Sequence, residues 1–488
     1  MNKGRVLMVV HDRYQSDNFL HLGLAYIGAV LLQNNVYVEV YDQAIYHYSN
    51  EQLAEHLKEN TYDLILVSFL SGRFLQTVKP LCEVINQHKK ESWLVLGGHG
   101  ASASCSYMLN TTNCEIVCTG EGEESIPEIL ECKLNGKSLN NVKGIAFKDI
   151  GKIITTPHRK PVANLNSLPF PAWDLYNMDI YSSNLQFPGM VKGDKALGII
   201  SGRGCTNKCS FCYRLECGLR ARSVPNVIAE LKELNERFSI NYAFFLDELF
   251  VFSKKRVYMF ANALKKNNLN ISYNVNARCD IFDFEIAQIL KESGCLFVNA
   301  GFETTSNDVL KAMGKNCTVE QNHKTAQACH DVGLGIGLNF LFGFPKDTIQ
   351  TLWDNVAFIK QYNYYDQCRT LRPPSPFPGS PLLTTAVEMG FIKHENEFFD
   401  LFKNSDLRMF DYSGIPDDVY YEELLKANTE LVLDHYAHTN QDWDAAWKII
   451  NGYKDLYEGR TIEFYGSRSD ATNEDKRKIL RQVNEIRK

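Results

Sequence analysis

Three cysteines stand at the spacing C-x3-C-x2-C in the segment Gly202-Arg203-Gly204-Cys205-Thr206-Asn207-Lys208-Cys209-Ser210-Phe211-Cys212-Tyr213, directly after the apolar run Ala196–Ile200. Cubane iron–sulfur clusters are normally held by four cysteine thiolates. A set of three therefore suits a [4Fe–4S] cluster whose fourth iron keeps a position open for a small molecule, and an open metal position serves chemistry rather than scaffolding. Structural zinc is the weaker alternative. It wants four N or S ligands in a tetrahedron, no Cys or His pair at ligand spacing follows closely, and Cys217 is the only nearby sulfur. Cys217 itself reads as a packed or surface cysteine ahead of a further catalytic thiol.

The elements that must position these sulfurs alternate in type. Strands are expected at Ala196–Ser201, Tyr242–Asp247, Ser272–Asn276, Leu296–Gly301, Gly335–Phe342 and Asp366–Leu371, with helices such as Val224–Phe238 and Val319–Val332 between them. Six β/α units predict a partial (β/α)6 TIM-type barrel, whose site lies at the C-terminal mouth. The polar residues at those strand ends are Asp247 and Glu248, Asn276 and Arg278, Glu303, and the turn at Gly343. The bland alternative is that Arg278 pairs with Asp280 or Glu303 merely to close the mouth.

The N-terminal part alternates in the same way. Strands at Arg5–Val10, Val36–Tyr41, Asp63–Val67, Trp93–Leu96 and Glu115–Cys118, with helical patterns over Leu22–Gln33, Asn50–Glu59 and Phe74–Gln87, predict a doubly wound, Rossmann-like α/β domain. Such sheets bind ligands at the carboxyl ends of their strands, where strand order reverses. The loops there are Ser68-Phe69-Leu70-Ser71-Gly72, Gly97-Gly98-His99-Gly100 and Gly120-Glu121-Gly122-Glu123. Glycine content alone marks a generic nucleotide or cofactor cleft. The G-x-G-x-x-G phosphate loop of dinucleotide-binding domains is absent after the first strand. His99 reads as a hydrogen-bonding loop residue in preference to a metal ligand.

Between the halves, Gly144–Lys148 and Lys152–Thr156 read as a hairpin, and the prolines of Leu168-Pro169-Phe170-Pro171-Ala172-Trp173 preclude regular structure. The C-terminal region is charged, helical in pattern and rich in aromatics, among them Tyr412, Tyr420, Tyr421, Tyr436, Trp443 and Trp447. Two readings stand there: a cap over the barrel mouth that selects substrate, and plain core.

The whole chain of 488 residues, with a formal net charge of −6, is long enough for two or three domains and gives no argument for nucleic acid or an anionic membrane surface. The first residues lack the apolar core of a signal peptide, and no apolar run approaches the ~20 residues that span a bilayer. A cytoplasmic location is expected, where the 14 cysteines stay reduced.

The cysteine segment, with the aromatic Phe211 just before its third cysteine, resembles the cluster loop of radical S-adenosylmethionine (SAM) enzymes. Gly301-Phe302-Glu303 and the strand ending in Gly343 resemble that family's SAM contacts. Asp247-Glu248-Leu249-Phe250 and Ser375-Pro376-Phe377-Pro378-Gly379 resemble elements of its cobalamin-dependent branch. His21-Leu22-Gly23-Leu24-Ala25-Tyr26-Ile27-Gly28, Gly97-Gly98-His99 and Gly120-Glu121-Gly122-Glu123 resemble the cobalamin-binding domain that precedes many such barrels. The D-x-H-x-x-G motif by which classical cobalamin proteins offer a histidine to cobalt is missing, as it is in many radical SAM relatives.

The resemblance implies a division into a cobalamin-binding-like domain at 1–135, a hairpin and linker at 136–190, a radical SAM barrel at 191–384 and a helical region at 385–488. It implies Cys205, Cys209 and Cys212 as cluster ligands, and Phe211, Asn276, Arg278, Glu303 and Gly343 as SAM contacts. Ser68, Ser71, Gly97, Gly98, His99, Gly120 and Glu121 would contact cobalamin, and Asp247 and Glu248 would be catalytic. The implied activity is reductive cleavage of SAM to a 5′-deoxyadenosyl radical and cobalamin-dependent methylation of an unactivated carbon. The alternatives are cyclisation or rearrangement without methyl transfer, and a non-catalytic redox or sensor protein. Expected partners are a small-molecule, lipid or peptide substrate and an electron donor such as flavodoxin or ferredoxin.

Overall fold

Val6-Leu7-Met8-Val9-Val10 is an unbroken apolar run, the pattern of a strand covered on both faces, and all five residues are buried. In the computed structural model, which describes residues 3–13, 19–70, 74–363, 367–401, 410–439 and 443–458, this run is part of β1 (Arg5–Val10). Contacts group the chain into two units: residues 1–184 with 213–220 and 377–405, and residues 185–212 with 221–376 and 406–488.

In the first unit, β1 pairs in parallel with both β2 (Tyr37–Asp42) and β3 (Leu64–Ser68); β4 (Trp93–Gly97) and β5 (Ile116–Cys118) follow in parallel. The strand order β2-β1-β3-β4-β5 reverses between β1 and β3, which places the ligand crevice beyond the ends of those two strands. The expected hairpin, β6 (Ile145–Asp149) and β7 (Lys152–Thr155), extends the same sheet antiparallel from β5. Two helices depart from expectation. Phe74–Val78 is a π-helical turn before Lys79–His88, and a short helix, Gly98–Ala103, begins inside the glycine turn after β4.

The second unit holds a parallel sheet ordered β12-β11-β10-β9-β8, from β8 (Ala196–Ile199), β9 (Tyr242–Phe245), β10 (Ser272–Arg278), β11 (Cys295–Glu303) and β12 (Gly335–Phe340). Strand alternation gives this sheet two chemically different faces. Tyr273 packs on Phe260, and Phe302 and Phe340 pack on Phe358, so this face meets the helices Lys254–Lys266 and Ile349–Tyr362. On β10, β11 and β12 the alternate positions face away from those helices and, apart from Phe297, are polar or bare. In register, Asn276, Asn299 and Gly337 form one row, and Arg278, Gly301 and Asn339 the next.

A sixth strand was expected at Asp366–Leu371. Asp366 lies outside the described residues, and the rest joins the sheet only through a single parallel bridge between Leu341 and Arg372. Arg372 exchanges backbone bonds with Phe340 and Phe342, and on the opposite edge the Asn428 side chain accepts from the Leu371 amide (2.8 Å) and donates to the Leu371 carbonyl (3.1 Å), so a helix side chain holds the edge that faces away from β12. Asn428 belongs to the helix Asp417–Thr439, which pairs with Trp443–Glu458. Tyr420 and Tyr436 are core, Tyr420 stacked on Phe342 at 5.1 Å, whereas Trp443 and Trp447 are exposed.

Candidate cluster and cofactor sites

The cysteine loop leaves β8 through Ser201 and a short strand at Gly202–Cys205. The Cys212 amide donates to the Cys209 carbonyl (3.2 Å), and the Ser210 amide donates to the Met313 carbonyl (2.8 Å), so the loop turns back and docks on the segment after Ala312. Asn316 reaches Asn207 from the same segment at 3.4 Å. Cys205 and Cys209 are half-buried and Cys212 is exposed. Burial pushes the Cys209 thiol up, and the nearby Lys315 and Arg278 cations pull it back. Among the described residues no three His, Cys, Asp or Glu side chains converge on the position of a single ion. A cubane asks for something different, because it offers a separate iron to each thiolate; three soft donors on one loop beside two cations fit it. Phe211 sets its ring edge-on to Phe344, at 5.7 Å.

Around that loop lie the polar strand ends. Arg278 pairs with Asp280 (3.0 Å) and donates to the Asn316 carbonyl (3.1 Å). This is the mouth-closing pair foreseen as the bland alternative, with Asp280 as the partner. Glu303 sits at a register shift between β11 and β12 with φ +64°, a conformation sparsely used by residues other than Gly, Asn and Asp. Its Oε1 accepts from buried Lys315 at 2.5 Å, and Lys315 also donates to the Gly301 carbonyl. Lys315 is a residue that sequence reasoning missed. It follows a glycine in a polar turn, and nothing local distinguishes it from a solvated surface lysine.

Gly343, at φ +117°, gives its amide to Asp347 Oδ2 (3.0 Å), as does Phe344 (2.9 Å); the Tyr412 amide donates to the Gly343 carbonyl. Burial pushes the Asp347 carboxyl up to about 6, against the pull of those two amides. Asp347 was likewise missed.

Asp247 and Glu248 part company. Asp247 is buried and both of its oxygens accept from Ser201, one from the amide (2.7 Å) and one from the hydroxyl (2.5 Å); burial raises it to about 6. Asn276 donates to the Asp247 carbonyl at 2.8 Å. This arrangement locks the end of β9 to the end of β8. Glu248 is exposed.

In the first unit, the Ser68 carbonyl at the end of β3 lies 3.1 Å from His21 Nε2. Burial takes His21 down to about 4, so it is neutral, and its Nδ1 accepts from the Leu24 amide to cap the helix Leu22–Gln33. Ser71 lies outside the described residues. A Cβ on Gly98 (φ +85°) would stand 2.7 Å from Ser68 Oγ and one on Gly100 2.5 Å from the Phe69 ring, so those two glycines admit the loop after β3. Among the described residues a Cβ on Gly97 would have only the Cys118 carbonyl nearby, at 3.9 Å, which leaves room in front of β4. Two buried polar atoms, Gln76 Oε1 and Ser102 Oγ, have no hydrogen-bond partner among the described residues. Unpaired buried polar groups on the elements that follow β3 and β4 fit an amide-rich cofactor such as cobalamin.

His99 sets its ring perpendicular to Tyr213 at 5.4 Å, and burial lowers its pKa. Gly120 supplies φ +78°. Glu121 is committed: it holds Arg220 at 2.7 and 3.0 Å and accepts from the Val162 amide at 2.8 Å.

Comparison with known proteins agrees with both units. Residues 17–130 match the B12 binding domain and residues 199–359 match the radical SAM superfamily. The chain thus carries a B12-binding domain ahead of a radical SAM domain. Its cofactors are accordingly a [4Fe–4S] cluster, SAM and cobalamin.

Among relatives, it is 27% identical to an uncharacterized methyltransferase of Pyrococcus horikoshii, over 75% of this chain and 78% of that one. It is 24% identical to the cytidylyl-2-hydroxyethylphosphonate methyltransferase of Streptomyces wedmorensis, over 78% and 80%. The solved cobalamin-dependent S-adenosylmethionine radical enzyme OxsB shares the fold, with a TM-score of 0.70 at 16% identity, over 99% of this chain and 79% of that one. No helix among the described residues is long and apolar enough to cross a membrane.

Proposed function

We propose that this enzyme methylates an unactivated carbon of its substrate, with Cys205, Cys209 and Cys212 as the cluster ligands. One observation carries the reading: the three-cysteine loop is docked, through the Ser210 amide, onto the same turn that delivers Lys315 to Glu303. When bound, the cluster with SAM supplies a radical able to take hydrogen from carbon, and cobalamin supplies the methyl group. The two relatives above are methyltransferases, which supports methyl transfer. The anaerobic magnesium-protoporphyrin IX monomethyl ester cyclase of Rubrivivax gelatinosus, 22% identical over 73% of this chain and 66% of that one, keeps ring formation as the second reading.

The chain's own residues bind, orient and exclude water. Arg278, the free edge of Glu303 and the Gly343 turn suit a ligand with a carboxylate, an ammonium and an adenine edge. Asp247 and Asn276 hold strand ends in place rather than move protons, because Ser201 occupies both Asp247 oxygens. Gly97, Gln76 and Ser102 suit the amide-bearing rim of cobalamin. The electron donor is of the flavodoxin or ferredoxin kind.

The test is anaerobic reconstitution. Wild type should take up about four irons and four sulfides, and its cluster spectrum should change on adding SAM. Under reduction with substrate it should release both 5′-deoxyadenosine and S-adenosylhomocysteine. Replacing any of the three cysteines with Ala should abolish SAM cleavage, while Cys217→Ala keeps the cluster. Release of 5′-deoxyadenosine without S-adenosylhomocysteine would replace methyl transfer by cyclisation or rearrangement.

A further inference from the structure

Arg369 follows the sheet's fifth strand in sequence and crosses its polar face. Its guanidinium lies over the Phe297 ring at 5.6 Å, donates to Asn339 Oδ1 at 3.1 Å, and donates to Gln367 Oε1. None of these partners is an anion. Nε is sealed from solvent and has no acceptor among the described residues. Burial draws Arg369 down to about 10, and the charged group that acts on it most is another cation, Arg372. Arg369 is half-buried, and a partly desolvated charge with no carboxylate partner among the described residues is poised to take an anion.

The floor beside it is cut away to match. Gly337 stands in the row Asn276, Asn299, Gly337. A Cβ there would lie 2.6 Å from an Arg369 terminal nitrogen and 2.7 Å from Asn299 Oδ1. The missing side chain lets a guanidinium and a side-chain amide converge at one point of the sheet face. Two N–H groups of Arg369 are engaged, which leaves others of its five donors for a ligand.

We propose that the polar face of the five-stranded sheet holds a substrate subsite for an anionic oxygen group, a carboxylate or a phosphate, bound by Arg369 with Asn299 and Asn339 beside it and Gly337 keeping the place open. Arg is the residue suited to such a group, because its planar fork meets two oxygens at once. The substrate is therefore an anionic small molecule. This rests on the radical SAM reading only in calling the ligand a substrate.

The reconstituted full-length holoenzyme is titrated with inorganic phosphate in one arm and acetate in the other, at ionic strength matched with chloride, and its thermal midpoint is followed. Wild type should show a saturable rise with one of the two anions, and the responding arm identifies the group. Arg369→Gln should raise the half-saturating concentration about tenfold or more, and Arg369→Lys, which keeps the charge and loses the fork, by less. If Arg369→Gln does not fold, Gly337→Ala serves instead: its Cβ displaces the guanidinium and should weaken the response. A wild type that answers neither anion, or folded variants that titrate as wild type does, would overturn the subsite. Release of 5′-deoxyadenosine by the same wild-type preparation is scored separately. Anion binding through Arg369 without SAM cleavage would keep the subsite and sink the radical reading.

Discussion

Lys315 Nζ lies 2.5 Å from Glu303 Oε1 and donates in addition to the Gly301 carbonyl two residues earlier on the same strand. Both side chains are buried, and Glu303 adopts its positive φ at the point where β11 slips register against β12. Removing one partner of a buried pair strands the other charge, at a cost of about 3–5 kcal/mol. Lys315→Met should therefore lower stability by that order in urea unfolding. Lys315→Met combined with Glu303→Gln should recover most of the loss. A double variant no better than the sum of the singles would mean the pair is not coupled.

Asp347 makes stability depend on pH with a definite sign. Its folded value, about 6, stands above that of an unfolded aspartate, about 4. Its contribution is present in full below pH ~4 and is lost as pH rises through ~6, roughly 3 kcal/mol in all. Asp347→Asn does not titrate, so its deficit relative to wild type should be largest near pH 4 and should shrink by about that amount by pH 7. A deficit constant across this range would show that the carboxyl is not raised. Asp247, also raised to about 6 by burial, should behave with the same sign.

Asn428→Leu removes both bonds to the Leu371 backbone and leaves a buried amide and carbonyl without partners. At about 1–3 kcal/mol for each unsatisfied group, the loss should be 2–5 kcal/mol in denaturant unfolding. Hydrogen exchange at the Leu371 amide should accelerate by at least tenfold. Unchanged exchange there would show that the helix does not hold this segment.

Gly98→Ala puts a Cβ 2.7 Å from Ser68 Oγ and 2.8 Å from the Phe69 carbonyl at φ +85°. Strain and crowding together should cost about 2–4 kcal/mol. Gly97→Ala, where the nearest atom is 3.9 Å away, should cost less than about 1 kcal/mol and instead weaken cobalamin uptake, read by its absorbance. Equal destabilisation by the two would contradict the packing described for this turn.

Local patterning carried much of this protein. The apolar run of β1 needs only the two-residue strand period to be legible, and the three cysteines need only their spacing, because ligands on a single loop are brought together by the chain itself. Positions such as Gly301 and Glu303 could be marked as strand ends for the same reason. The sequence could not say that Lys315, rather than Arg278, would find Glu303, or that Asp347 would bind the Gly343 amide. Those partners are chosen by docking of separate segments, and neither residue carries a local signal.

The sequence by itself determined the alternation of strands and helices, the two-part plan and the cysteine triad, since each is written in short-range periodicity or spacing. Tertiary structure alone decided that the hairpin joins the first sheet and that Asn428 holds the Leu371 backbone. It also left Arg369 half-buried with no carboxylate partner among the described residues. These outcomes depend on which backbone groups and charges lose water together, and that is settled only when distant parts of the chain pack.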